Sequence, residues 1–167
     1  MDGALYLGGA NAAIKCDGCV FDGNLGSAVY LNNASASAWF NSCVFTGNNS
    51  TPENGQYIGR AVFTKAGAAT FFNNCTFGEQ VASEKCFGDI EIRSGKLIFA
   101  NSTMIGSASG GIFRVHTGGG NALYMNSLVI NKNGAKEAIN YNSTDCTFIS
   151  RYVISGPPKN KYETYIK

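Results

Sequence analysis

The chain has 167 residues, enough for one domain, and only 14% of them are charged while 21 are glycines. This composition argues against long amphipathic helices and favours short strands joined by turns. The net charge is +2 and no stretch gathers Lys and Arg, so the usual electrostatic basis for binding nucleic acid or an anionic membrane is missing. No apolar run approaches the roughly 20 residues of a membrane span, and residues 1 to 6 lack the pattern of a secretion signal.

A motif best seen in Phe40 to Asn48, FNSCVFTGN, recurs along the chain. Its central Cys, which we name the anchor, returns as Cys or Ser every 24 to 32 residues, a period typical of one coil of a β-solenoid. Because side chains alternate across a strand, the anchor and the apolar residue two positions later share one face, which we predict to be the interior. The anchors are Cys19, Cys43, Cys75, Ser102 and Ser127. The column two positions later is Phe21, Phe45, Phe77, Met104 and Val129, and the largely aromatic column three positions earlier is Cys16, Phe40, Phe72, Phe99 and Tyr124.

A second family of strands precedes each anchor motif. Like strands recur after one full coil, so they should pair in parallel with their own copies, and residues 1–167 should form one solenoid domain of five to six coils. Asn at the corners tolerates the left-handed backbone and can bond its copies along the axis, so Asn74, Asn101 and Asn126 are the predicted ladder. The upstream strands are residues 3–7, 27–31, 60–64, 89–93 and 111–115.

The two ends of the solenoid differ in sequence. Gly156, Pro157 and Pro158 should end the ladder, because proline has no N–H to donate, and residues 155–167 then form an end segment that covers the last coil. The first strand, in contrast, has nothing before it to shield its edge. We therefore expect an upstream segment or another chain to contact the N-terminal coil. One coil is also enlarged, by a polar loop between Asn48 and Gly59.

The six cysteines allow two interpretations. Their even number suggests disulfides, but Cys19, Cys43 and Cys75 occupy the same repeat position, which favours a stack of buried thiols. Cys16-x-x-Cys19 has the spacing of a metal or redox motif, yet no second pair or nearby His completes a site. We interpret the column as structural and keep a redox role as the less favoured alternative.

Short motifs within the repeats point to a family. A Gly-rich strand start is found at Gly26-Ser27-Ala28-Val29 and Gly59-Arg60-Ala61-Val62, and a Phe-x-x-Asn corner at Phe21 to Asn24 and Phe45 to Asn48. These residues resemble repeats of the polymorphic outer-membrane-protein type, within the right-handed single-stranded parallel β-helices of the pectin lyase-like superfamily. The resemblance implies a bacterial, cell-surface or secreted location. Similar proteins include adhesins and shafts as well as polysaccharide-cleaving enzymes.

In the enzymes of this superfamily, carboxylates cluster on the outer face of one sheet and either bind calcium or act as acid and base. Here the strand Asp89 to Arg93 offers the comparable set. Alternation places Asp89, Glu91 and Arg93 outward, with Arg60 on one neighbouring coil and Arg114 with His116 on the other. The favoured interpretation is a solvated charged face, because neighbouring coils add no further carboxylate.

The sequence therefore favours a non-catalytic surface or secreted module, either a structural shaft or an adhesin-like domain, without cofactor or metal. A polysaccharide or host-surface glycan is the expected partner, bound by outward Trp39 and by Tyr57 in the enlarged loop. The alternative is a lyase or glycoside hydrolase that acts on an acidic polysaccharide through Asp89 and Glu91 with Arg93, Arg60 or Arg114, and calcium is the cofactor expected under this alternative.

Overall fold

The structure is a computed structural model that describes residues 3–53, 56–66, 69–81, 88–106, 112–115, 121–132, 139–141, 148–156 and 164–165. This part of the chain is all-β and forms a parallel β-solenoid of about 4 turns. The described residues include no helix long and apolar enough to cross a membrane.

Three strand families run along the solenoid, and every pairing within them is parallel. The first sheet contains, in spatial order, β1 (Leu5–Leu7), β4 (Val29–Asn32), β9 (Val62–Ala66), β12 (Ile90–Ile92), β15 (Phe113–Val115) and β17 (Ile139–Tyr141). The second family contains β2 (Ala13–Asp17), β5 (Ser37–Asn41), β10 (Ala69–Asn73) and β13 (Lys96–Ala100). The third contains β3 (Val20–Asp22), β6 (Val44–Thr46), β11 (Thr76–Phe77) and β14 (Thr103–Gly106).

The later strands merge the second and third families. The long strand β16 (Asn121–Asn131) pairs with both β13 and β14, and β18 (Phe148–Gly156) pairs with β16. The solenoid class is as predicted, but the predicted five to six coils exceed the about 4 turns of the structure. Among the described residues, four coils have three separate strands, and in the later ones the second and third families are joined in one long strand.

Two of the predicted interior columns are confirmed; in the anchor column four members are buried, but Cys19 is only half-buried, so the predicted stack of three buried thiols is reduced to Cys43 and Cys75. All members of the column after the anchor and of the column before it are at most 8% exposed. The rings stack along the axis, with centroids 4.7 Å apart for Phe21 and Phe45 and 4.6 Å apart for Phe45 and Phe77. Phe40 and Phe72 stack at 5.2 Å and meet the first column edge to face. These contacts add to the burial of apolar surface, which is the main stabilising contribution.

Hydrogen bonds in the anchor column explain why both Cys and Ser occur at this position. Cys43 and Cys75 donate their thiols to the carbonyl two residues earlier, over 3.3 Å in each case. Ser102 and Ser127 donate their hydroxyls in the same way, over 2.6 and 2.7 Å. The position therefore requires a small donor that can be buried, which both residue types supply.

The corner before the anchor adopts the left-handed conformation in the five coils whose anchors are Cys19, Cys43, Cys75, Ser102 and Ser127. The residues there have φ between 47° and 63°, and they are Gly18, Ser42, Asn74, Asn101 and Asn126. Asn126 donates its side-chain amide to Asn101 over 2.8 Å, as predicted. Asn74 departs from the predicted ladder, because its amide bonds the Ser42 hydroxyl while Asn101 bonds Asn73.

The coil before Asn74 has Ser42 at the ladder position and its amide, Asn41, one residue earlier. The ladder therefore continues from Asn101 through Asn73, which is in register with Asn41. From Asn73 the series continues to Asn41 over 2.9 Å and ends at Asp17, which accepts from Asn41 over 2.8 Å. A carboxylate has no N–H to donate, so Asp17 accepts the last hydrogen bond of the ladder and the series ends there.

The enlarged loop and the end segment contain further strands. Within the loop, β7 (Thr51–Glu53) and β8 (Gln56–Ile58) form the antiparallel pair of an inserted hairpin. In the end segment, β19 (Thr164–Tyr165) pairs in parallel with β18. Pro157, Pro158, Cys86, Cys146 and His116 lie outside the described residues.

Candidate functional site

The predicted exposure of the acid pair to solvent is wrong. Asp89 is 0% exposed and Glu91 is 1% exposed. Ile90 and Ile92, which were predicted to face inward, are also buried, so β12 is covered on both faces. The outer face of the first sheet therefore does not present these carboxylates to solvent.

Asp89 lies just before β12, at the corner of its coil, and forms a buried ion pair with Arg60. The Arg60 Nε donates to Asp89 Oδ1 over 2.5 Å, and Arg60 is itself only 1% exposed. Arg60 Nη1 donates to the Val81 carbonyl over 2.6 Å. The pair thus joins two corners of the solenoid, and Arg60 lies beside Asp89 on the neighbouring coil, as predicted, but buried rather than at the surface.

Two features show how closely Asp89 is enclosed. A Cβ on Gly106 would collide with Asp89 Oδ2, so any larger residue at that point of β14 would force the Asp89 carboxylate to move. Burial raises the pKa of Asp89 to about 6, and the nearby Arg60 guanidinium opposes this rise. Asp89 is therefore a tightly packed structural carboxylate.

Glu91 projects from the middle of β12 and meets a different arginine. Arg93 Nε donates to Glu91 Oε1 over 3.1 Å, and the Arg93 guanidinium lies 4.9 Å above the centroid of the Phe63 ring. Phe63 packs against Tyr30 with centroids 4.9 Å apart, and both rings are buried. The outer face of β4, β9 and β12 thus carries a second, smaller apolar cluster, which the Arg93–Glu91 ion pair covers.

The strand register brings Arg114 next to Glu91 on the following coil, as predicted. Arg114 is half-buried. The structure therefore groups the predicted residues as two arginine-carboxylate pairs, with Arg114 adjacent to the second. Glycoside hydrolysis needs an acid and a base that reach the sugar from opposite sides, and two buried carboxylates held by arginines do not meet that requirement. Across the described ranges, no cluster of three His, Cys, Asp or Glu side chains could hold a metal ion.

Trp39 faces outward, as predicted, and is 38% exposed. Its indole stacks on Phe71, with centroids 5.4 Å apart and an interplanar angle of 4°. Lys15 is the register neighbour on the other side. Because Phe71 covers one face of the indole, less of the ring is free for stacking on a sugar. Tyr57 lies in β8, and its side chain is outside the described residues.

Sequence reasoning missed a buried amide series at the corner after the third strand family. Asn24 donates its side-chain amide to Asn48 over 2.7 Å, and Asn48 donates to Gln80 over 3.0 Å. Gln80 donates onward to the carbonyls of Phe45 and Gly78. The signal was the Phe-x-x-Asn corner, in which Gln80 replaces Asn and keeps the same bonding role.

Comparison of the chain with protein-family models, curated proteins and solved structures finds no match.

Proposed function

We propose that the protein is a non-catalytic β-solenoid module, a structural shaft or adhesin-like domain of a cell-surface or secreted protein. The observation that carries this proposal is the burial of Asp89 and Glu91, each held by an arginine. A catalytic carboxylate must reach its substrate, whereas these two stabilise corners and one sheet face. The resemblance to polymorphic outer-membrane-protein repeats supports the bacterial surface location.

The solenoid itself suits a spacer. Its columns of stacked rings and amides repeat from coil to coil, so each coil is stabilised mainly by its neighbours. Such a module can display a binding element at a distance. Trp39 is the described residue best suited to contact a glycan, through the part of the indole that Phe71 leaves open.

The test combines cleavage and binding. The purified protein is incubated with a panel of acidic polysaccharides, with and without calcium, and released sugar ends are measured. We expect no cleavage. Cleavage that disappears in the Glu91→Gln variant, with the fold intact by circular dichroism, would contradict the proposal and support the lyase or hydrolase alternative.

Glycan binding is measured in parallel on a glycan array. If Trp39 contributes, Trp39→Ala should reduce the signal at least several-fold, since loss of a stacking aromatic removes much of the contact with a sugar. Val20→Ala is the matched control, because Val20 is 67% exposed on the third strand family and belongs to no ring stack. Equal loss in both variants would rule out a specific role for Trp39.

A further inference from the structure

The first coil leaves three strand edges open at one end of the solenoid. Among the described strands, β1, β2 and β3 each stand at the end of their strand order and pair on one side only, with β4, β5 and β6 respectively. Backbone N–H and C=O groups along an open edge bond readily to a strand of another chain. We name this end of the solenoid, formed by residues 5–25, the N-terminal face.

The N-terminal face is also the least covered part of the core. Within the described residues, the partly buried side chains that pack on the core all belong to the first coil, and they are Leu5, Ala12, Ile14 and Cys19. The copies of these residues in the second coil are 0% exposed, and they are Val29, Ala36, Ala38 and Cys43. The second coil is covered on both sides and the first on one, so apolar surface remains in contact with water at this face.

Two charged side chains on β2 lie beside the open edge, on the outer surface and on either side of buried Cys16. Asp17 ends the amide ladder: its Oδ1 accepts from Asn41 over 2.8 Å, and its other side-chain oxygen forms no hydrogen bond with the described residues. Lys15 is exposed and forms no ion pair within the described ranges. The strand thus offers an unused acceptor and an unused cation two residues apart on the same face.

We propose that two copies of the chain associate through their N-terminal faces, with β2 of one copy antiparallel to β2 of the other. Two identical surfaces that meet face to face are related by a two-fold axis, which reverses the direction of like strands. The interior of one solenoid then continues into the interior of the other. The partly buried side chains of both first coils become covered, and new backbone hydrogen bonds satisfy both edges.

Charge selects the register of the two strands. Because side chains alternate along β2, interior residues of one copy meet interior residues of the other only when the axis passes through Ile14, Lys15 or Cys16. An axis at Lys15 places the two lysines opposite each other, which is unfavourable, and an axis at Ile14 places Lys15 opposite Ala13. An axis at Cys16 places Lys15 opposite Asp17 of the other copy, and the symmetry repeats this pair. Of the three registers, this one uses both the cation and the carboxylate, so the face is complementary to itself and fits a second copy.

The association is tested by sedimentation of the full chain, without an N-terminal tag, over a wide range of concentrations. We expect a monomer–dimer equilibrium in the wild type. Lys15→Glu places like charges at both pairs and should raise the dissociation constant of the dimer at least about ten-fold. Asp17→Lys should have the same effect from the opposite sign of charge. Lys96→Glu is the matched control, because it makes the same change of charge at an exposed residue of β13, away from the open edge, and should leave the equilibrium unchanged.

A mixture of the two charge variants separates this register from a general effect of charge. When Lys15→Glu meets Asp17→Lys, the introduced glutamate lies opposite the introduced lysine, and the remaining native Asp17 lies opposite the remaining native Lys15. We expect the mixture to form heterodimers with an affinity close to that of the wild type, at concentrations where each variant alone is mainly monomeric.

A wild type that stays monomeric at every concentration would overturn the proposal and leave the N-terminal face to a different partner. Lys15→Glu dimers as stable as those of the wild type would overturn the register, and so would a mixture without heterodimers when both variants are folded by circular dichroism. Lys15→Glu changes an exposed side chain outside any described ion pair. Its comparison with Lys96→Glu therefore decides the register even where Asp17→Lys loses structure together with its hydrogen bond from Asn41.

Discussion

Removing the buried cation Arg60 should destabilise the solenoid far more than removing an exposed one. In Arg60→Met, Asp89 loses the guanidinium 2.5 Å away that opposes the rise of its pKa, so the buried carboxyl must either stay charged without this partner or take up a proton, in a site where both side chains are at most 1% exposed. The Val81 carbonyl loses a 2.6 Å hydrogen bond as well. Breaking a buried ion pair from one side costs about 3 to 5 kcal/mol in free energy of unfolding, which corresponds to roughly 10 °C in the unfolding midpoint of a chain of this size.

The matched control is Lys132→Met, which removes the cation of the Lys132–Glu79 pair. The pair joins atoms 2.7 Å apart with both side chains more than half exposed, so solvent screening should make its loss far less costly than loss of the buried pair. Stability is measured by urea unfolding, followed by the fluorescence of Trp39, the single tryptophan. The double variant Arg60→Met/Asp89→Asn should recover much of the loss, since no unpaired charge remains. Equal stability of Arg60→Met and Lys132→Met would refute this reasoning.

Three further predictions concern pH, the ring stacks and the amide ladder. The folded-state pKa of Asp89, about 6, lies above the value near 3.9 of an unfolded aspartate, so the folded state binds a proton that the unfolded state lacks. The free energy of unfolding of the wild type, relative to Asp89→Asn, should therefore fall as pH rises from about 4 to about 7; an increase in urea titrations would contradict this sign. Phe45→Ala should cost about 3 to 5 kcal/mol, and more than Phe21→Ala, because Phe45 stacks on rings at both sides; equal losses in urea unfolding would argue against the stack. Asn101→Ala should cost roughly 2 kcal/mol from lost hydrogen bonds and left-handed strain, and Asn101→Gly about half as much because glycine accepts φ 50°; an equal cost would show that strain is negligible.

Most of the interior could be predicted from the repeat, because residues at the same repeat position lie in one column and face the same side of the solenoid. Phe45, Cys43 and Phe40 each have copies at the same position in other coils, and parallel pairing stacks such copies whatever the loop lengths between them. Trp39 was placed outward by the same alternation. These predictions depend only on the local period of a strand and on pairing between coils.

The acid pair was misplaced because alternation fails outside a regular strand and at a face that is itself covered. Asp89 precedes β12, so the period of two does not apply to its corner position. Glu91 does point away from the core beneath Ile90 and Ile92, but Tyr30 and Phe63 make that outer face a second apolar cluster. The alternation of side chains along a strand does not distinguish an outer face covered by other side chains from one exposed to solvent. The arginine partners can be recognised only when the positions of neighbouring coils are known.

The most direct test of the structural role of Asp89 and Glu91 is carbodiimide labelling of carboxylates in the native protein, mapped by mass spectrometry. We predict that Asp17, Asp22 and Glu79, which are exposed, react readily, while Asp89 and Glu91 remain unmodified until the protein is denatured. Labelling of Asp89 or Glu91 in the native protein at the rate of the exposed carboxylates would contradict their burial and reopen the catalytic interpretation.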